Sequence, residues 1–233
     1  MLLSNNQIDK LGERLKLGSP SDEDVTMLST YRSSFFDAAK AVADTVREIS
    51  GLEVTARSLK TTLSIVAKLK RDGVKQLSSM QDIGGCRVTV RNLTEQDELV
   101  EKLLKAYPDA KLYDRVAKPS HGYRAKHLVM KIEGRRIEIQ VRTLLQHRWA
   151  LLSEAGADAF GQNLKYGMLN EVGSFPTTQK NLLTFLMKFS DAIIKEEISN
   201  SDSDSDFLVL DETLQAIHIE LEKFKTRLTE LKD

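Results

Sequence analysis

The sequence lacks the features that mark secreted, disulfide-linked or membrane proteins. Cys86 is the only cysteine among 233 residues, which excludes an internal disulfide and a CxxC metal site. No stretch of about eighteen consecutive apolar residues occurs, so no membrane span is expected. The N-terminal residues, MLLSNNQIDK, have no basic segment followed by an apolar one, unlike a signal peptide. Together these absences predict a cytoplasmic protein.

The chain also lacks an excess of charge of either sign. Its 34 basic and 34 acidic side chains give a formal net charge of zero, whereas a dedicated duplex-binding domain is usually strongly basic. The charge is unevenly spread, because residues 57–71 and 111–142 are basic and residues 200–206 are acidic. Hydrophobic residues make up 41% of the chain, enough for an ordinary globular core.

Hydrophobic periodicity predicts helices at both ends of the chain. A hydroxyl cap at Ser21 and a glycine stop at Gly51 bound one long amphipathic helix. A helix over 177–199 is followed by a polar linker at 200–206. The last helix repeats its apolar residues at heptad spacing. That seam predicts pairing either with the 177–199 helix or with another subunit.

The middle of the chain mixes helix and strand signals. A second helix is expected over about 56–71, a strand after Gly84-Gly85, a hairpin turning at Glu133-Gly134, and helices capped by Thr94 and Thr143. The pattern predicts an α+β fold, a mixed β-sheet flanked by helices, with all-helical N- and C-terminal extensions. The expected boundaries are an N-terminal segment at 1–20, one domain at 21–175 and an extension at 176–233.

Basic side chains recur at helical spacing in the predicted 56–71 helix. Leu59, Leu63 and Val66 would turn away from that face. A polyphosphate would relieve the repulsion within such a stripe, although a solvated helix face gives the same pattern. The residues on the stripe are Arg57, Lys60, Ser64, Lys68 and Arg71.

Two strands carry polar residues suited to a metal–phosphate site. Asp82 stands at the entry to the first strand, where it could hold Mg²⁺ or simply cap a turn. On the second strand Glu138, Gln140 and Arg142 alternate with apolar residues. They therefore share one face, which could equally be an exposed face of the sheet.

A turn with mixed aromatic and basic residues lies between these strands. It reads Lys118-Pro-Ser-His-Gly-Tyr-Arg-Ala-Lys-His127. An aromatic ring among cations suits a nucleobase stacked beside phosphates. A surface turn feeding a strand is the alternative.

Four ordered blocks within about residues 21–167 together resemble the synthetase domain of the RelA/SpoT alarmone enzymes. The blocks are LKTTLSIVAKL, DIGGCRV, HGYRAKHLV and EIQVRTLLQHRWA. The resemblance implies a nucleotidyltransferase-like fold. It also implies a pyrophosphokinase that moves the β,γ-diphosphate of ATP to the ribose 3′-hydroxyl of GDP or GTP, giving (p)ppGpp in a stringent response.

The resemblance also implies roles for particular residues. Asp82 and Glu138 would be catalytic and bind Mg²⁺, and Tyr123 would stack on the acceptor base. On the ATP side it implies Lys60, Ser64, Lys68 and Arg87, to which the basic stripe adds Arg57 and Arg71. On the acceptor side it implies His127, Gln140 and Arg142, to which the aromatic and basic turn adds Lys118, His121, Arg124 and Lys126.

The sequence departs from the family pattern at three places. Ser58 stands where the family commonly has arginine, with Arg57 one position earlier. His121 replaces an asparagine that helps to read guanine, and Leu152-Ser153-Glu154-Ala155 replaces a Glu-His pair. These departures suggest a divergent subgroup of small stand-alone synthetases, some of which are toxins.

Two other functions therefore stay open. One is transfer to the 3′-terminal adenosine of tRNA, with an antitoxin as a further partner. The other is a degenerate module that binds a nucleotide or a partner, including a second copy, through the C-terminal seam. The sequence has no Walker loop, and no His-Asp pair resembling the family's hydrolase domain precedes residue 57.

Overall fold

The fold was analysed in a computed structural model that describes residues 3–18, 20–71, 76–161, 164, 176–199 and 204–230. The chain divides into two compact units. One comprises Met1–Val88, Leu99–Tyr113 and His127–Val141, and the other Thr89–Glu98, Asp114–Lys126 and Arg142–Asp233. Within the described residues no helix is long and apolar enough to cross a membrane.

Eight α-helices, five strands and one short 3-10 helix at Leu77–Ser79 make up the described part of the fold. The helices are α1 Asn5–Leu17, α2 Asp22–Ser33, α3 Phe36–Ser50, α4 Thr62–Arg71, α5 Leu93–Ala106, α6 Leu144–Phe160, α7 Pro176–Ser199 and α8 Asp204–Glu230. The strands are β1 Val54–Arg57, β2 Gly84–Val90, β3 Lys111–Asp114, β4 Lys126–Ile132 and β5 Arg135–Thr143. This architecture confirms the predicted α+β class with helical ends.

The strands form one mixed five-stranded sheet in the order β1-β2-β5-β4-β3. β1 runs antiparallel to β2, with Arg57 opposite Gly85. Strand β5 is central and buried on both faces, because Ile137 and Ile139 are fully buried and Glu138 and Gln140 are only 6% and 5% exposed. The predicted apolar row is thus confirmed, and the opposite row does not lie on an exposed sheet face.

Local sequence signals correctly located several element ends. Ser21 and Thr143 each form a capping box with the residue three positions later. The hairpin between β4 and β5 turns at Glu133 and Gly134, with φ values of 47° and 80°. These signals act over a few residues, so long-range packing does not change them.

Three predicted elements were wrong. The helix from Ser21 to Gly51 is two helices, because the chain turns at Ser34 and buries Phe35. Residues 54–57 pair with β2 as an edge strand, and α4 starts only at Thr62. The cap of α5 is Asn92, whose Oδ1 accepts the Glu95 N–H, rather than Thr94. In residues 54–57, strand pairing with the distant β2 overrode the local helical pattern.

The second unit contains the C-terminal helices. Leu145, Leu186 and Leu214, from α6, α7 and α8 respectively, belong to one apolar cluster. Helix α8 packs mainly on α6, with an Arg148–Asp211 ion pair at 2.9 Å. The heptad seam therefore contacts chiefly α6, which neither predicted pairing named.

Some predicted features lie outside the described residues. These include the side chains of Leu228 and Leu231, the last two leucines of the predicted heptad seam, and most of the linker at 200–206, although residues 204–206 belong to α8. The proposed boundaries at residues 20 and 175 stay predictions.

The end of α7 completes the start of α6. The Glu197 carboxylate accepts hydrogen bonds from Thr143 Oγ1 and, at 3.2 Å, from Gln146 Nε2. Burial raises the pKa of Glu197, and the hydrogen bonds from Thr143 and Gln146 offset part of that rise. A side chain from one helix thus adds to the capping box of another.

Candidate active site

In the first unit, strands β2 and β5 approach each other closely beside the two predicted catalytic carboxylates. A Cβ atom on Gly85 would lie 2.0 Å from the backbone oxygen of Glu138, well inside contact distance. Glycine at position 85 therefore permits this approach. Asp82 stands two residues before β2 begins, as the sequence predicted.

Asp82 pairs with two lysines. Lys60 Nζ lies 3.0 Å from its Oδ2, and Lys68 Nζ lies 3.0 Å from its Oδ1. Burial would raise the pKa of Asp82, but the charges of Lys68 and Lys60 outweigh burial and hold that pKa below its usual value. Neither lysine belongs to a merely solvated helix face.

Glu138 is buried among three polar partners. His127 Nδ1 lies 2.8 Å from Oε1, while Arg57 Nη1 and Gln140 Nε2 each donate at 2.8 Å to Oε2. Burial would raise the pKa of Glu138, but the His127 hydrogen bond and the charges of His127 and Arg57 hold it below its usual value. The carboxyl is therefore ionised at neutral pH.

The two carboxylates lie within electrostatic reach of each other, since the charge of Asp82 acts to raise the pKa of Glu138. No group of three or more His, Cys, Asp or Glu residues suited to a metal occurs in the described part of the chain. Two carboxylates nevertheless fit Mg²⁺, which commonly takes one or two from the protein and the rest from water and phosphates. Asp82 and Glu138 are the residues that would hold it.

The predicted ATP-side residues divide between a strand, a loop and a helix. Arg57 belongs to β1, Lys60 precedes α4, and Lys68 lies on α4, so a single helical stripe does not exist. Ser64 is exposed and bonds Thr61 within its own turn. Arg87 lies on β2.

The buried residues of α4 differ from those on its predicted apolar face. Ile65 and Leu69 are buried, whereas Leu63, predicted to turn away from the basic side chains, is 82% exposed. The side chain of Arg71 lies outside the described residues.

A residue that the sequence reasoning missed supports Lys60. Arg32 on α2 donates from Nε to the Lys60 backbone oxygen at 2.8 Å and from Nη1 to Thr62 Oγ1 at 3.4 Å. No local pattern distinguishes this arginine from other surface arginines. Only the folded contact, 28 residues away in sequence, identifies it.

In the second unit, the predicted acceptor loop forms a tight turn. Ser120 and Tyr123 exchange two backbone hydrogen bonds, and His121 and Gly122 have φ values of 52° and 84°. A Cβ at residue 122 would lie 2.8 Å from Trp149, so only glycine fits there. Asparagine and histidine are among the residues that best tolerate positive φ, which explains His121 in physical terms.

Tyr123 is held at its hydroxyl and over its ring. Arg142 Nη2 donates to the Tyr123 hydroxyl at 3.0 Å, and the guanidinium carbon lies 5.1 Å from the ring centroid. The Trp149 ring is tilted at 6.5 Å. Arg142 therefore covers one face of the Tyr123 ring.

Two other predicted acceptor-side residues have protein partners. Arg124 donates to Val116 O at 2.8 Å, to Ser190 Oγ at 3.0 Å and to Asp191 at 3.0 Å. Lys126 pairs with Asp97 and lies 3.8 Å from Asp114. These contacts give both side chains structural roles. Lys118 and His121 are exposed.

The structure brings together many of the predicted site residues in two groups. Within the first unit the group is Arg57, Lys60, Lys68, Asp82, His127, Glu138 and Gln140. Within the second unit it is Tyr123, Arg124 and Arg142, which the Ser120–Tyr123 turn and α7 support.

Residues 57–159 match the family model described as "Region found in RelA / SpoT proteins". This match shows that residues 57–159, the RelA/SpoT region, are similar to a region found in RelA and SpoT proteins. Uncharacterized proteins of Mycobacterium tuberculosis and Mycobacterium bovis are 33% identical to the chain over 170 residues, or 70% of it. The chain spans 62% of the length of these curated relatives.

The fold around the RelA/SpoT region is similar to solved structures. Small alarmone synthetase 1 of Bacillus subtilis, bound to its product pppGpp, superposes with a TM-score of 0.54 at 21% identity, covering 84% of this chain and 99% of that one. A GTP pyrophosphokinase family protein of Streptococcus pneumoniae gives 0.51 at 22% identity, covering 86% and 98%. These structural matches confirm the fold, the match over residues 57–159 confirms the family resemblance, and the subgroup stays a prediction.

Proposed function

We propose that the RelA/SpoT region is an ATP-dependent pyrophosphokinase that moves the β,γ-diphosphate of ATP to the ribose 3′-hydroxyl of GDP or GTP, which forms (p)ppGpp and releases AMP. The observation that carries this proposal is the pair of carboxylates, Asp82 and Glu138, each ion-paired to cations of one cluster. A polyphosphate would take over the three cations and Mg²⁺ the two carboxylates, so each of these side chains would exchange one opposite charge for another. The pppGpp bound to the similar Bacillus synthetase supports the same substrate class.

Different residues of the chain would accept the proton and bind the phosphates during the reaction. The ribose 3′-oxygen attacks the β-phosphorus, the bond from that phosphorus to the α,β-bridging oxygen breaks, and AMP leaves with the bridging oxygen. Glu138, ionised at neutral pH, accepts the proton from the hydroxyl. Lys60 and Lys68 exchange Asp82 for phosphate oxygens and offset their negative charge.

Other side chains would bind the metal ion and position the acceptor nucleotide. Mg²⁺, held by Asp82 and Glu138, would neutralise charge on the transferred group. Tyr123 stacks against the acceptor base, and Arg142 restrains its ring through the hydroxyl. His127 and Gln140 fix the orientation of the Glu138 carboxylate, so they act as positioning residues.

Transfer of label from ATP tests the proposal. The protein is incubated with ATP labelled in the γ-phosphate, Mg²⁺ and either GDP, GTP or deacylated tRNA, and the products are separated by chromatography. We expect label in a guanosine nucleotide and one AMP per transfer. Label in tRNA would support the toxin alternative instead, and no transfer to any acceptor would overturn the proposal in favour of a binding module.

Glu138→Gln tests the assigned proton acceptor in the same assay, and Glu133→Gln is its matched control. It keeps the size of the side chain and removes the proton acceptor, so transfer should fall at least about a hundredfold while ATP binding is kept. Glu133→Gln, at the exposed hairpin turn, should leave transfer unchanged. Full activity of the Glu138→Gln variant would contradict the assigned role.

A further inference from the structure

The turn that carries Tyr123 is tied to α7 by one buried hydroxyl. Ser190 Oγ accepts a hydrogen bond from Arg124 Nε at 3.0 Å and donates one to Gly122 O at 2.6 Å. Ser190 is 2% exposed. The two bonded residues flank Tyr123 on either side, so a single oxygen atom restrains both ends of the three-residue segment centred on it.

Other contacts reinforce this attachment within the second unit. Trp149 donates its indole N–H to Leu186 O of α7 at 2.7 Å. Arg124 also reaches Asp191, the next residue of α7, at 3.0 Å. Besides meeting Trp149, a Cβ on Gly122 would lie 3.3 Å from Ser190 Cβ. The turn therefore has little space to move while α7 is in place.

We propose that Ser190 is a positioning residue for the acceptor: through Gly122 and Arg124 it sets where Tyr123 presents its ring. This inference rests on the proposed function, in which Tyr123 stacks on the acceptor base. It places a determinant of acceptor binding on α7, outside the matched residues 57–159. It also explains why Arg124 hydrogen-bonds to protein groups: this side chain holds the turn and need not contact the acceptor.

Replacing Ser190 should weaken acceptor binding selectively. Ser190→Ala removes both hydrogen bonds and leaves the partly buried Gly122 carbonyl without the hydroxyl donor, a change worth about a five- to tenfold loss in an equilibrium constant. The loss falls on the turn, so the KM for the acceptor nucleotide should rise by about that factor. The KM for ATP should change less than about twofold.

The experiment compares Ser190→Ala, Ser190→Cys and Ser199→Ala in the full chain. Cysteine keeps a weak donor and acceptor at nearly the same size and should restore part of the acceptor KM. Ser199 is an exposed serine on the same helix whose hydroxyl bonds only its own turn, to Glu196 O, so its variant should match the wild type. Thermal unfolding of each variant checks that the fold is intact.

A second readout does not need activity. Trp149 is the only tryptophan in the chain and lies 6.5 Å from Tyr123, so its fluorescence can report titration with GDP or GTP. Weaker binding by Ser190→Ala, with partial recovery in Ser190→Cys, supports the inference even if the wild type transfers no diphosphate and the proposed function fails. Unchanged acceptor KM and binding, or equal rises in the KM values of acceptor and ATP, would overturn it.

Discussion

Arg57 reaches Glu138 from two strands away. Its Nη1 lies 2.8 Å from Glu138 Oε2, although β2 separates β1 from β5 in the sheet. The residue of β2 opposite Arg57 is Gly85, which has no side chain to fill the space between them. Arg57 was expected on the ATP side, and its observed partner is instead the predicted catalytic carboxylate.

Replacing Arg57 should therefore affect turnover more than ATP affinity. Arg57→Gln removes a charged hydrogen bond to a buried carboxylate, a contact worth about 1.5–3 kcal/mol. We expect kcat to fall about ten- to a hundredfold with the KM for ATP within about threefold, measured by initial rates. Arg91→Ala, at an 89% exposed arginine just after β2, is the control. A large rise in the KM for ATP with kcat preserved would show that Arg57 binds ATP, as the sequence predicted, rather than acting through Glu138.

Arg32 should matter for ATP binding although it lies outside the RelA/SpoT region. Arg32→Ala removes the donor to the Lys60 backbone and frees the segment that carries this lysine. We expect the KM for ATP to rise about five- to tenfold, by the free energy of a typical hydrogen bond. Lys40→Ala, an exposed change on α3, should have no effect. An unchanged KM in Arg32→Ala would show that Lys60 is held adequately by its other contacts.

Two substitutions at adjacent glycines should differ sharply in stability. Gly85→Ala forces a Cβ against the Glu138 backbone and should cost about 3 kcal/mol or more of unfolding free energy, as overpacking in a core does. Gly84→Ala places its Cβ 3.1 Å from the Phe35 side chain, where a small adjustment suffices. Urea denaturation of both variants measures the difference. Equal losses would mean that β2 can move away from β5.

Acid should weaken the fold through the paired carboxyls. The pKa values of Asp82 and Glu138 are lower than usual in the folded protein. Such groups add stability above their unfolded-state pKa values, and that stability is lost as pH falls through the folded-state values. We expect their contribution to be level between about pH 6 and 8 and to decline below about pH 4.

Denaturation of Asp82→Asn across this pH range isolates one of the two groups. The variant should lose less unfolding free energy on acidification than the wild type does. Asp109→Asn, an exposed change, should follow the wild-type curve. A decline of the same size in Asp82→Asn and the wild type would exclude Asp82 as a source of the acid sensitivity.

The sequence made the class of fold predictable, together with the positions of Asp82 just before one strand and of Glu138 on another, because caps, hairpin turns and alternating strands depend on near neighbours. The roles of the site residues stay predictions. Pairings across long separations were not predictable. The Arg57–Glu138 contact spans 81 residues, and β1 is a strand only because β2 lies beside it. Arg32 and Ser190 carry no motif, since their importance comes from the backbone atoms that they bond.

The attachment of Glu197 to the first turn of α6 has a consequence for biosynthesis. Thr143 and Gln146 leave the ribosome well before Glu197 does, so the nascent RelA/SpoT region emerges without two of the hydrogen bonds that complete this helix start. A polypeptide that stops where the family match ends, at residue 159, would lack them permanently. The hydrogen bonds between Glu197 and the first turn of α6 can therefore form only after the last turn of α7 has been translated.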